Sequence, residues 1–123
     1  KIMQKISTPK ELMISRYNAF VEEDWEYIAK TSTSQTIEEL QNTPRISWLK
    51  LEVLTASDDT VEFKAYYILN DRIELLHEKS TFVFINDEWK YQDGVLYDTQ
   101  IAKNEICFCG SKKKYKRCCY IPD

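Results

Sequence analysis

The chain has 123 residues, enough for one ordinary domain with a small appendage, and about two-thirds of its surface can be buried on folding. Hydrophobic residues make up 43% and charged residues 30%, with three Trp, eight Tyr and five Phe, which excludes a disordered chain. No apolar run approaches the ~18 residues that span a bilayer, and no basic-then-apolar leader opens the chain at Lys1, so the expectation is a cytoplasmic protein without membrane insertion.

Thr8-Pro9-Lys10-Glu11 predicts a helix start, with Thr8 as N-cap, Pro9 in the first turn and Glu11 three residues after the cap. Leu12, Met13, Tyr17, Phe20 and Val21 follow at spacings of three and four, one buried helical face. Asp24 can cap a second helix through Trp25, Tyr27, Ile28 and Ala29, and Ser32–Asn42 has a weaker helical pattern. From Ile46 the period changes. Ser47–Thr55, Thr60–Leu69, Ile73–Ile85 and Glu88–Gln92 are rich in β-branched and aromatic residues and alternate apolar with polar over much of their length. The breaks at Ser57–Asp59, Asn70-Asp71 and Asn86-Asp87 are too short for parallel crossovers, so the strands form an antiparallel meander. With only two glycines in the chain, tight left-handed turns must rely on Asn and Asp. The expected fold class is α+β, with N-terminal helices covering one face of the sheet. A boundary near Asp98–Asn104 divides a domain over 1–102 from a tail over 103–123.

The tail differs in charge as well as pattern. Net charge is −3 overall, yet residues 103–123 hold six basic and two acidic residues, a net +4, which leaves −7 on the body. All four cysteines lie in the tail: Cys107, Cys109, Cys118 and Cys119, a C-x-C-x8-C-C pattern. Four thiolates within thirteen residues can close one tetrahedral zinc site, and a closed site holds a structural rather than a catalytic ion. So short a peptide owns no hydrophobic core, and structural zinc supplies an apparent ~10–16 kcal/mol toward folding in such modules. The alternative is two disulfides or four free thiols, but disulfides need an oxidising compartment and adjacent cysteines pair only with strain. The basic run Lys112, Lys113, Lys114, Lys116 and Arg117, with Tyr115, offsets the thiolate charge and presents a surface to an acidic protein partner. RNA, with Tyr115 and Phe108 stacking on bases, is the weaker reading because the body is acidic.

The segment from Cys107-Phe108-Cys109-Gly110-Ser111 to Lys114-Tyr115-Lys116-Arg117-Cys118-Cys119 resembles the SEC-C zinc motif, named from the C-terminus of the bacterial translocation ATPase SecA. It departs from the motif at Phe108, where proline is usual, and at Lys112, where a second glycine is usual. Leu12–Phe20, Trp48-Leu49, Val61–Phe63, His77–Phe82 and Trp89–Gly94 are similar to the YchJ-like family. The resemblance implies an NTF2-like cone joined to SEC-C, one zinc on the four cysteines, and contact with a SecB-like chaperone or the ribosome. NTF2-like domains often form homodimers through the sheet, and members of the family often carry another SEC-C motif at the N-terminus, which is missing from this sequence.

The cone offers a second possibility, a pocket that binds a small molecule or catalyses a reaction, with Arg16, Trp48, His77, Trp89 and Asp93 as its candidates. His77, the only histidine, could act as a general base beside Glu78 or Asp93. Strand alternation opposes the first pairing by placing His77 and Glu78 on opposite faces, and a structural, hydrogen-bonded histidine is the expectation. Arg16, among apolar helix neighbours, is either an anion ligand or a partner of a strand carboxylate such as Glu62 or Glu78, the latter being expected. Trp48, Trp89, Tyr66, Tyr67 and Tyr91 are core residues or cavity walls. Asp93-Gly94 reads as a strand-ending turn. The reading that results is a zinc-binding adaptor, with no catalytic residue assigned.

Overall fold

The computed structural model describes residues 6–44 and 46–101. Three helices, α1 (Pro9–Glu22), α2 (Trp25–Lys30) and α3 (Ile37–Gln41), precede four strands, β1 (Ser47–Ala56), β2 (Thr60–Leu69), β3 (Arg72–Ile85) and β4 (Glu88–Tyr97). The helices begin where side chains can satisfy their first amides. Thr8 Oγ1 accepts from Glu11 N, Asp24 accepts from Tyr27 N, and Thr36 accepts from Glu39 N.

The sheet is antiparallel in the order β1-β2-β3-β4. The two tightest turns carry Asn70, Asp71, Asn86 and Asp87, all at positive φ, the geometry of type I′ hairpins. Val61, Phe63 and Ala65 of β2 and Phe82 of β3 bury one face of the sheet against Leu12 and Met13 of α1. A second cluster, Ala19, Ile28 and Leu40, holds the three helices to one another.

Two sequence expectations change. The weak helix over Ser32–Asn42 is confined to α3, because its beginning joins the sheet: Thr33 N donates to Tyr91 O (2.9 Å) and Tyr91 N donates to Thr31 O (2.7 Å). β4 does not end before Asp93-Gly94 but runs through both to Tyr97, with Gly94 paired to Ser80. Among the described residues no helix is long and apolar enough to cross a membrane.

Candidate functional site: a cavity between helix and sheet

A cavity of about 220 Å³ lies between the helices and the sheet face they cover. Its walls are largely aromatic, from Tyr17 and Phe20 of α1, Trp48 of β1, Phe63 of β2, Phe82 of β3 and Tyr91 of β4. Four non-aromatic polar side chains also line it: Arg16, Gln35, Glu78 and Ser80.

Arg16 sits on the buried face of α1 and is only 6% exposed. Its Nη1 donates to Ile28 O (2.8 Å) and Thr31 Oγ1 (2.7 Å), and its Nη2 donates to Gln35 Oε1 (2.7 Å). The guanidinium thereby caps the C-terminal turn of α2, where the helix dipole favours a cation. It also stacks over the Tyr91 ring, 4.9 Å from the centroid. Burial lowers its pKa to about 10, and the nearby Tyr91, Tyr27 and Glu78 oppose that fall, so the group stays cationic at neutral pH. The expected salt bridge to Glu62 or Glu78 is not what holds it. All three of its hydrogen-bond acceptors are neutral, and among the described residues it makes no ion pair.

Glu78 faces the same cavity from β3. Its Oε2 accepts from Ser80 Oγ (2.5 Å) and Tyr91 Oη (3.3 Å). Burial first, and the Glu78 carboxylate second, push the Tyr91 phenol up to about 12, so it remains a hydrogen-bond donor across the physiological range. Gly94 makes this arrangement fit, since a Cβ at that position would lie 2.6 Å from Glu78 Cδ and 2.9 Å from Cγ.

Of the residues grouped from sequence, Arg16 and Trp48 line the cavity, whereas His77, Trp89 and Asp93 do not. Alternation along β3 is the reason for His77, which lies on the face opposite Glu78. There its Nε2 meets Glu62 Oε2 (2.8 Å), its Nδ1 meets Thr99 Oγ1 (2.7 Å), and its ring packs on Tyr97 at 4.7 Å. Glu62, one of the carboxylates expected at Arg16, is thus engaged by His77. Trp89 packs on Phe84 at the margin of the core and donates to Ser7 O (3.2 Å), while Asp93 is exposed and paired with Thr81. Among the aromatic residues, Tyr91 is a wall, Tyr67 packs on Trp48 at 5.2 Å, and Tyr66 is buried at a position that alternates away from Ala65.

Gln35 and Ser80 were not singled out from sequence. Ser80 did leave a trace: with Glu78 it breaks the apolar run on the inward-facing positions of β3 between Leu76 and Phe82. Gln35 left none, because its partner Arg16 lies nineteen residues away. The four cysteines and the basic run Lys112–Arg117 lie outside the described residues, and among those described no group of three His, Cys, Asp or Glu could hold a metal ion.

Comparison with known proteins identifies both parts of the chain. Residues 8–94 match the family model for the YchJ middle NTF2-like domain, and residues 104–121 match the SEC-C motif. A UPF0225 protein of Shewanella sp. (strain MR-4) is 38% identical over 131 residues, covering 94% of this chain and 80% of that protein. A UPF0225 protein of Pectobacterium carotovorum is 36% identical over 129 residues, covering 90% of this chain and 80% of that protein. A SEC-C motif containing protein from Rhodopseudomonas palustris superposes with a TM-score of 0.68 at 25% identity, covering 77% of this chain and 83% of that one. One from Psychrobacter arcticus gives 0.61 at 33% identity, covering 97% of this chain and 77% of that one.

Proposed function

This chain belongs to the YchJ family, an NTF2-like α+β domain followed by a SEC-C motif, and on that footing we propose that it is a zinc-dependent adaptor. One observation carries the reading: Cys107, Cys109, Cys118 and Cys119 all fall inside the matched span 104–121, with five basic residues between the two pairs. The donor set suits zinc, since four soft thiolates close a tetrahedral shell and leave no position for a substrate. When bound, the ion supplies shape to a segment that has no core of its own. The surrounding Lys112, Lys113, Lys114, Tyr115, Lys116 and Arg117 then form the docking surface. An acidic protein surface, such as that of a SecB-like chaperone or a ribosomal protein, is the partner this charge fits. A thiolate site needs a reducing environment, consistent with a cytoplasmic protein.

The test begins with metal analysis of the reduced protein, which should hold about one zinc per chain and lose it on Cys118→Ser. Co-sedimentation with ribosomes and capture by purified SecB, each with and without a chelator, then examine the partner. Binding to either that disappears with the metal and with charge reversal across Lys112–Arg117 supports the adaptor. A zinc-free reduced protein, or binding indifferent to both changes, sinks it.

A further inference from the structure

The cavity carries a recognition pattern that a purely structural domain does not require, and that is independent of the tail. Arg16 has five N–H donors, and among the described residues three are used, all on neutral acceptors. Glu78 accepts both of its hydrogen bonds on Oε2, and among the described residues Oε1 accepts none. Both groups touch Tyr91, Arg16 over the ring face and Glu78 at the hydroxyl, and both line the same cavity.

We infer that this cavity binds a small, uncharged, planar molecule carrying an amide-type edge on a single aromatic or heteroaromatic ring, its carbonyl oxygen on Arg16 and its N–H on Glu78. Volume sets the size. A dry apolar cavity of about 150 Å³ accepts benzene, so about 220 Å³ has room for one substituted ring. The aromatic walls suit a flat π-system, which gains from offset or edge-to-face contact.

Charge sets the edge. An anion would gain from Arg16 and meet the carboxylate of Glu78; a cation would meet the converse. A zwitterion would satisfy both, but two charges would have to leave water for a mostly apolar cavity. A neutral carboxamide or lactam offers one acceptor and one donor on the same edge at the least desolvation cost.

Benzamide, benzoate and benzylamine are matched probes for the reduced, zinc-loaded full chain, read by calorimetry and by NMR of the Met13 methyl and Trp48 indole. Benzamide is expected to bind with Kd in the ~0.1–1 mM range that suits a fragment of this size. The charged analogues should bind at least ~10-fold more weakly. Met13 and Trp48 signals should move with benzamide while the His77 ring signals stay in place. Glu78→Leu should weaken benzamide at least ~10-fold, and the wild-type NMR map locates the site even if that variant unfolds. Chelation of the metal should leave benzamide binding unchanged, whatever becomes of partner docking. The inference is overturned if either charged probe binds as tightly as benzamide. It is overturned equally if benzamide fails to bind at ~10 mM, or shifts His77 rather than Met13 and Trp48.

Discussion

The Glu78 side chain lies over Gly94, in the space a β-carbon on that residue would fill. Glycine is therefore needed here for close approach rather than for an unusual backbone angle. Gly94→Ala should drive Glu78 aside and cost Ser80, 2% exposed, its carboxylate acceptor. The expected loss is about 1–3 kcal/mol in urea unfolding, whereas Asp93→Ala, at an exposed neighbour, should stay within about 0.5 kcal/mol. Equal, small effects at the two positions would refute the role given to Gly94.

Tyr91 and Arg16 predict opposite alkaline slopes. The Tyr91 phenol titrates near 10 in the unfolded chain and near 12 in the folded one. Its contribution is thus fully present below pH 10 and is lost as pH rises toward 12. Arg16 is the reverse: burial holds its folded value, about 10, below the usual arginine range, so its contribution grows over that interval. Tyr91→Phe should remove the part of the falling limb that this phenol contributes. Urea midpoints measured under reducing conditions should show the stability advantage of wild type over the variant shrinking above pH 10, by at most about 1.4 kcal/mol per pH unit. A constant difference from pH 8 to 11 would contradict the assignment.

His77 is a tie between strands and the segment that follows β4. His77→Ala should cost about 1–2 kcal/mol through its contacts with Glu62, Thr99 and Tyr97. Because the residue faces away from the cavity, Met13 and Trp48 NMR signals should be unmoved by the change. A shift at those two probes would mean that the opposite faces of the sheet are coupled.

The hairpins offer a stabilising substitution. Asp71 and Asp87 have φ of 63° and 65°, a conformation glycine adopts without penalty. Asp71→Gly and Asp87→Gly each create the favoured Asn-Gly turn and should raise stability by about 0.5–1 kcal/mol in chemical denaturation. Loss of stability at both would argue that the carboxylates do more than turn the chain.

Local chemistry made most of the fold legible. Thr8 and Asp24 announced their helices through capping, and Asn70-Asp71 and Asn86-Asp87 announced hairpins because few residues tolerate the left-handed region. Alternation alone separated His77 from Glu78. The site was harder to read because its parts come from distant positions. Arg16 finds a carbonyl, a hydroxyl and an amide oxygen twelve to nineteen residues downstream, and no local pattern marks neutral partners for a charged group. Asp93-Gly94 misled for a related reason: a glycine chosen for what lies above it looks, in one dimension, like a glycine chosen for a bend. The four cysteines are a different case, since their fixed spacing puts the expectation of zinc on the surface of the sequence.

The backbone bridge at Ser32 and Tyr91 bears on the order of assembly. Thr31, whose hydroxyl accepts from Arg16, gives its carbonyl to β4, whose Tyr91 lies beneath the guanidinium. The N-terminal layer is therefore complete only once the last strand has been made. As the chain emerges during synthesis, α1 must wait some seventy residues for the ring on which its arginine rests, so its docking belongs among the late, non-local steps of folding.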